Sequence, residues 1–147
     1  MPASSLNFPD YVVVKDRYTL SSETRRLQFD RVLRELQTSY WGGRTTADTL
    51  ARCLRHSLCL GLYDGADQIG FARVVSDFTT FAWLTDVYVE AAYRGKGLGS
   101  WFIEQILAHP ELQGLRRIAL RTRDAHGLYA RFGFAEINDP DRWMTRS

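Results

Sequence analysis

A glycine-rich segment, Arg94-Gly95-Lys96-Gly97-Leu98-Gly99-Ser100, lies between a predicted strand and a predicted helix. The first turn of a helix leaves about four backbone N–H groups unpaired and carries a partial positive charge. Glycine lacks the Cβ atom that would keep a phosphate group away from those N–H groups. Each charge-assisted hydrogen bond to a phosphate is worth about 1.5–3 kcal/mol. The segment therefore predicts a site that binds a pyrophosphate group.

Two common phosphate-binding motifs do not fit this segment. A P-loop requires Gly, four residues and then Gly-Lys-Ser/Thr, and the chain has no such spacing. The dinucleotide fingerprint requires a third glycine where Ser100 stands, within a βαβ unit early in the chain. From these residues alone, a glycine-rich turn without a ligand stays the alternative.

The flanking residues predict the elements that must position this turn. Apolar residues at helical spacing predict helices at 29–40, 47–54, 98–108 and 124–132. Apolar runs and alternation predict strands at 11–14, 58–63, 69–75, 81–89, 115–120, 134–137 and 143–145. The strand at 115–120 follows the strand at 81–89 through a helix, so the two should be parallel. The pattern predicts an α+β fold: a mixed, mainly antiparallel central sheet of six to seven strands with helices on both faces.

The composition is that of an ordinary globular protein. With 147 residues, 45% hydrophobic and 24% charged, the chain suits one domain, 1–147, with a core of about 10–146. No apolar run reaches the roughly 20 residues of a membrane helix, and residues 1–10 lack the pattern of a signal peptide. Cys53 and Cys59 form neither a metal-binding spacing nor a disulfide framework. We therefore expect a cytoplasmic protein without a metal and without a membrane partner.

The charge of the chain is unevenly distributed. The net charge of +2 is too small to indicate nucleic-acid binding, so no nucleic-acid partner is expected. Between Glu90 and Arg131, however, seven basic residues stand against four acidic ones, beside the glycine-rich segment. Such a local excess suits a small anionic ligand, although a solvated surface would give the same pattern.

Two motifs in register resemble the GNAT superfamily of N-acetyltransferases. Arg94-x-x-Gly97-x-Gly99, preceded by the apolar strand at 84–89, is similar to the coenzyme A motif of that family. Gly127-Leu128-Tyr129-Ala130-Arg131-Phe132-Gly133-Phe134 is similar to its second signature, a tyrosine on a short helix followed by Gly-Phe. The order of elements matches over nearly the whole chain. The resemblance implies a GNAT-like fold and transfer of an acetyl group from acetyl-CoA, as cosubstrate, to a primary amine of a small molecule or peptide, by direct attack in a ternary complex.

The resemblance also implies roles for the residues of both motifs. Backbone groups of Val87 and Val89 should pair with the pantetheine amides of the coenzyme. The backbone from Arg94 to Ser100 should bind its pyrophosphate. The Tyr129 hydroxyl should lie near the coenzyme sulfur, where a phenol with a pKa of about 10 is a suitable acid for a leaving thiolate.

The base that deprotonates the amine is less well defined. A lysine-like amine has a pKa of about 10.4, so its deprotonation at pH 7 costs roughly 4–5 kcal/mol. Members of the family often carry a glutamate on the strand before the glycines, where this chain has Thr85. The neighbouring Asp86 is the candidate base, directly or through a water, although strand alternation could turn it toward a helix layer. A water relay without a single base is the alternative.

The acceptor groove of this fold is commonly bordered by the loop between the first two helices. We therefore expect Tyr40, Trp41 and Arg44 to bind the acceptor, together with Arg73 and Trp83. The alternative for the first two aromatic residues is that they cap the core. The two arginines also favour an acceptor that carries a carboxylate or phosphate besides its amine. A non-catalytic coenzyme A-binding sensor or regulatory module is the competing function, and a homodimer is left open.

Overall fold

Six strands form a single sheet in the computed structural model, which describes residues 4–147. The strands, in chain order and in the order of their position in the sheet, are β1 (Val12–Lys15), β2 (Tyr18–Ser21), β3 (Leu58–Asp64), β4 (Asp67–Ser76), β5 (Phe81–Val89) and β6 (Arg117–Ala119). Each neighbouring pair is antiparallel except β5 and β6, which are parallel. The predicted α+β class, with a mixed and mainly antiparallel sheet, is confirmed.

Helices cover both faces of this sheet. They are α1 (Phe29–Thr38), α2 (Ala47–Arg55), α3 (Leu98–Leu107) and α4 (His126–Ala130). Successive side chains of a strand point to opposite faces, and β3 illustrates the result. Its residues Leu58, Leu60 and Leu62 belong to a core cluster with α3, whereas Cys59 belongs to a second cluster with α1 and α2.

The predicted strands at 134–137 and 143–145 are not found. Gly133, with φ +88°, turns the chain after α4, and the Phe134 ring then packs edge-to-face on Tyr129 with centroids 5.7 Å apart. The Trp143 ring lies 5.1 Å from the Arg117 guanidinium carbon. Side-chain contacts, rather than a hydrogen-bonded ladder, therefore hold these aromatic residues.

The strand β2 was missing from the prediction. It pairs with both β1 and β3, and its residues Leu20 and Ser21 are fully buried. In this four-residue segment Thr19 and Ser21 flank Leu20. It has too few apolar residues to show the two-residue period that predicts a strand. The strand is defined by its neighbours in the sheet.

The start of α1 is fixed against β4 by two glutamines. The backbone N–H of Gln28 donates to Oε1 of the fully buried Gln68 over 2.7 Å, and the Gln68 N–H donates back to Gln28 Oε1 over 3.3 Å. Within the first turn of the helix, Arg31 donates two hydrogen bonds of 2.7 Å to Glu90, directly after β5. These contacts set the distance between α1 and the end of β5.

A buried histidine follows α3. His109 Nδ1 accepts a hydrogen bond from the Glu111 N–H over 3.1 Å, and the imidazole ring contacts the Tyr11 ring at a centroid distance of 4.7 Å. Its Nε2 atom is buried and has no hydrogen-bond partner within residues 4–147. Burial lowers the pKa of His109 below its usual value, and the nearby charge of Glu111 opposes this only in part.

We predict that the free energy of unfolding decreases as the pH falls below about 6.5, the usual histidine pKa. In that range the unfolded chain protonates His109 more readily than the folded protein does, so acid favours unfolding. His109→Asn keeps a hydrogen-bond acceptor near the Nδ1 position but cannot titrate. Urea denaturation of both proteins from pH 7.5 to 5 should therefore show a weaker pH dependence in the variant. A stability difference that stays constant with pH would contradict this prediction.

Candidate active site

A cleft opens between β5 and β6 because the two parallel strands pair only where both begin. Their register joins Phe81–Trp83 to Arg117–Ala119, and β5 then continues alone to Val89. The resulting cleft has a volume of about 1260 Å³. Its walls are the second half of β5, the end of α1 with the loop that follows, the start of α3, residues 120–125, and Leu128 and Tyr129 of α4.

A β-bulge interrupts β5 at the cleft. Phe71 pairs with Tyr88 but Arg73 pairs with Thr85, so the two residues 86 and 87 stand opposite one residue of β4. Asp86 has φ +56°, a left-handed conformation that aspartate adopts more readily than most residues. A bulge bends its strand and redirects the side chains beside it.

The carboxylate of Asp86 is held by an arginine of the neighbouring strand. Arg73 Nε donates to Asp86 Oδ2 over 2.8 Å, and Arg73 Nη1 donates to the buried Ser57 Oγ over 3.0 Å. Alternation along β4 places Arg73 on the face of Phe71, which packs with α1 and α2. Asp86 lines the cleft but is turned toward this helix layer, where its carboxylate is occupied by a guanidinium.

Backbone amides of β5 face the open edge. The Glu90 N–H donates to the Ile69 carbonyl over 2.8 Å, so alternation along the strand directs the amide groups of Val87 and Val89 away from β4 and toward the cleft. The Val89 carbonyl accepts a hydrogen bond of 2.9 Å from Arg94 Nε. This edge therefore offers backbone hydrogen-bonding groups to an extended ligand. One of its acceptors, the Val89 carbonyl, is already hydrogen-bonded within the chain.

The glycine-rich turn ends in a helix start that no side chain caps. Gly95 and Gly97 are left-handed, with φ +78° and +77°, and Gly97 is the N-cap residue of α3. The first hydrogen bond within the helix runs from the Trp101 N–H to the Gly97 carbonyl, so the preceding N–H groups have no partner within the helix. Apart from the adjoining residues and the backbone of α3 itself, no atom of residues 4–147 would lie within 4 Å of a Cβ atom at Gly95, Gly97 or Gly99. The space in front of these N–H groups is open.

Three cationic side chains lie near this turn. Arg94 lines the cleft, the Lys96 ammonium lies 5.2 Å from the centre of the Tyr93 ring, and Arg131 Nη2 donates to Ser100 Oγ over 2.9 Å. Arg131 belongs to the basic excess between Glu90 and Arg131, but its contact with Ser100 was not predicted from the sequence. Its place two residues after Tyr129, in the second motif, is the signal that could have identified it.

Tyr129 is buried at the wall of the cleft opposite β5. Its short helix is held at its start by the Ala125 N–H, which donates to Thr122 Oγ1 over 3.0 Å. Burial, with a smaller contribution from Tyr40, raises the pKa of the Tyr129 hydroxyl to about 12. The hydroxyl is therefore protonated at neutral pH and can act as a proton donor.

The aromatic residues of the loop after α1 face the cleft. Tyr40 and Trp41 are 53% and 44% exposed, and their rings meet edge-to-face at 5.0 Å. The Arg123 guanidinium carbon lies 3.8 Å from the centre of the Tyr40 ring, and the Arg123 N–H donates to Tyr40 Oη over 3.2 Å. These contacts join the two walls of the cleft. Trp83, half-buried on β5, lines it as well.

The two arginines expected at the acceptor groove lie outside the cleft lining. Arg44 is exposed on the loop before α2, and Arg73 is engaged by Asp86 and Ser57. Neither therefore offers a free guanidinium within the cleft lining to an acidic group of the acceptor.

Within residues 4–147, no three or more His, Cys, Asp and Glu side chains come together as a group that could hold a metal ion. None of the helices described for this chain is both long enough and apolar enough to cross a membrane.

Comparisons with known proteins identify the family. The model of the acetyltransferase (GNAT) domain matches residues 55–136. A Gibberella zeae protein named as an acetyltransferase is 31% identical over 137 residues, which covers 78% of this chain and 76% of that protein. Serotonin N-acetyltransferase 2 of rice is 35% identical over 107 residues, which covers 69% of this chain and 54% of the rice protein.

A solved structure agrees with these matches. The crystal structure of a Xanthomonas campestris protein assigned to the GNAT family has a TM-score of 0.87 and 38% sequence identity, covering 91% of this chain and 95% of that one. The cleft between β5 and β6, the uncapped start of α3 and the buried Tyr129 thus occur in a chain whose sequence and fold both match one family. The chain belongs to the GNAT acetyltransferase family and is an acyltransferase.

Proposed function

We propose that this acyltransferase moves an acetyl group from acetyl-CoA to a primary amine of a small molecule or peptide, by direct attack in a ternary complex. The observation that carries the proposal is the divergence of β5 from β6. It brings three groups to one cleft: the open edge of β5, the uncapped start of α3 and the hydroxyl-bearing Tyr129. These three groups suit an extended thioester donor that carries a pyrophosphate.

The residues of the cleft fit the donor. The amide groups of Val87 and the N–H of Val89 are directed to the edge where the amides of pantetheine would pair. The N–H groups at the start of α3 are open where the pyrophosphate would bind. Lys96 and Arg131 add positive charge there, which favours a dianionic group.

For acetyl transfer, the protein must stabilise negative charge on the carbonyl oxygen, supply a proton to the departing sulfur and remove a proton from the amine. Acetyl-CoA supplies an activated acyl carbon; the C–N bond forms on it as the C–S bond breaks. N–H groups at the bulged part of β5 can stabilise negative charge on the carbonyl oxygen. The Tyr129 hydroxyl, protonated at neutral pH, gives its proton to the departing sulfur. The amine loses its proton to Asp86, directly or through water, or to a water relay.

Release of free thiol from acetyl-CoA, measured across a library of primary amines, tests the proposal. Amine-dependent release is expected for some of them, with the acetylated amine identified by mass spectrometry. Acetyl-CoA binding in calorimetry without thiol release for any amine would contradict the proposal and would instead describe a non-catalytic coenzyme-binding module.

We predict that Tyr129→Phe lowers kcat by about 100-fold or more, because general-acid catalysis contributes about 10²–10⁴-fold. The dissociation constant of acetyl-CoA should stay within about threefold of the wild-type value, since only the hydroxyl is removed. Tyr18→Phe, on β2 and outside the cleft, is the matched control and should leave kcat unchanged. Unchanged turnover in Tyr129→Phe would remove this residue as the acid.

A second prediction concerns the turn before α3. Gly97→Val should weaken coenzyme A binding by at least about tenfold, because the branched side chain would occupy the space in front of the free N–H groups. Gly114→Val is the control: Gly114 has φ +75° and open space around its Cβ position, so both variants carry similar backbone strain. Titration calorimetry and thermal melts should show similar losses of stability but a loss of binding only for Gly97→Val. Normal binding by that variant would contradict the pyrophosphate assignment.

A further inference from the structure

Glu35 lines the cleft from α1, a helix that supplies none of the residues assigned above to the donor. Glu35 is half-buried on α1 and lines the cleft together with Thr38 and Ser39. Residues three and four positions apart share one face of a helix, so these side chains form one polar strip beside β5. Both hydroxyls already donate to carbonyls of their own helix, Thr38 to Glu35 over 2.9 Å and Ser39 to Leu36 over 2.6 Å.

No cation of the described chain, residues 4–147, forms an ion pair with Glu35. Arg31 stands one helical turn earlier, where it could neutralise Glu35, but Glu90 binds it through two hydrogen bonds of 2.7 Å. The nearby carboxylate of Asp86 is bound by Arg73 over 2.8 Å. Glu35 is therefore the carboxylate on this wall of the cleft that remains available to a cationic ligand.

The third carboxylate in the cleft lining, besides those of Glu35 and Asp86, differs in its exposure to water. Asp124 lies on the opposite wall, in the exposed loop after β6. A carboxylate surrounded by water contributes less to binding a cation than one that is half-buried, because water screens the exposed charge.

A buried hydroxyl of another residue in the cleft lining also lacks a partner. Tyr88 lines the cleft and is only 7% exposed, and its Oη atom has no hydrogen bond within residues 4–147. Tyr88 belongs to the core cluster that includes Val32 and Leu36 of α1, the helix that carries Glu35. Burial, followed by the negative charge of Glu35, raises the pKa of the Tyr88 hydroxyl. A buried polar atom without a partner costs free energy that a bound polar group can recover.

The cleft that Glu35 lines also has aromatic surface. Tyr40 and Trp41 follow the polar strip in the chain, and Trp83 lines the cleft from β5. The Tyr40 ring is already covered by the Arg123 guanidinium, which leaves Trp41 and Trp83 to contact a ligand. Aromatic faces favour flat apolar groups and cations.

We propose that Glu35 binds the protonated amine of the acceptor and that this acceptor is a primary amine with an aromatic body, of the arylalkylamine class. The inference rests on the proposed function and adds its acceptor class. Glu35 acts in recognition: it binds the ammonium form that is abundant at neutral pH. The amine then loses its proton by the route given above, before the C–N bond forms.

Two amines of equal size test the role of the charge. 2-Phenylethylamine is a cation at pH 7, whereas O-benzylhydroxylamine has the same number of heavy atoms and is neutral. Glu35→Gln should lower kcat/KM for 2-phenylethylamine by about 10- to 100-fold, mainly by raising KM. This fold-change corresponds to the loss of one charge-assisted hydrogen bond. The same variant should change kcat/KM for O-benzylhydroxylamine by less than about threefold.

Two further variants serve as controls. Asp30→Asn removes a carboxylate from the exposed first turn of the same helix and should leave both values unchanged. Glu35→Asp should restore part of the preference for the cation. The affinity for acetyl-CoA and the melting temperature, measured for each variant, establish that donor binding and folding are intact.

The outcomes separate this inference from the proposed function. Equal losses for both amines, no loss for either, or turnover of other amines but not of 2-phenylethylamine would overturn the role of Glu35 or the acceptor class. If no amine is acetylated, the proposed function fails, and calorimetric binding of 2-phenylethylamine decides the inference. Binding that weakens in Glu35→Gln but not in Asp30→Asn supports it; absent or equal binding overturns it.

Discussion

The ion pair between Arg73 and Asp86 holds the backbone shape on which the cleft depends. A left-handed conformation at a non-glycine residue costs on the order of 1 kcal/mol, and the bulge interrupts the ladder between β4 and β5. The guanidinium offsets this cost, because it binds the carboxylate of the strained residue while Ser57 fixes its other end. The bend in β5 lies after Trp83, the last residue of β5 that pairs with β6. The carboxylate of Asp86 thus holds the backbone geometry in addition to the proton transfer proposed for it.

Contacts distant in the sequence set the spacing of the two walls. Arg31 and Glu90 tie α1 to the end of β5, and Tyr40 and Arg123 join the loop after α1 to the loop after β6. The first of these contacts also has an electrostatic effect, since it removes the cation that could neutralise Glu35 one turn away. A structural ion pair one turn earlier on the same face of the helix therefore leaves the charge of Glu35 available to a ligand.

The sequence was sufficient for features encoded within short segments. The glycine turn, the helix after it, the strands β3 to β5 and the motif around Tyr129 each follow from local pattern and resemblance. The bulge could not be predicted, because it depends on the register between β4 and β5 and on a pairing of residues thirteen positions apart. The availability of Glu35 could not be predicted for the same reason, because it depends on the pairing of Arg31 with Glu90, which is distant in the sequence. The segments 134–137 and 143–145 were predicted as strands from their apolar residues, but side-chain contacts hold their aromatic residues instead.

An unpaired strand edge is normally an aggregation hazard, because it can template pairing with another molecule. In this fold the long open edge belongs to β5, an interior strand, and lies recessed between the start of α3 and residues 120–125. A strand of another protein's sheet cannot enter this narrow part of the cleft, whereas an extended small molecule can. The outward edges are left to β1 and β6, which have only four and three residues. The fold thereby shields the unpaired backbone N–H and C=O groups of β5 from other proteins while keeping them accessible to small molecules.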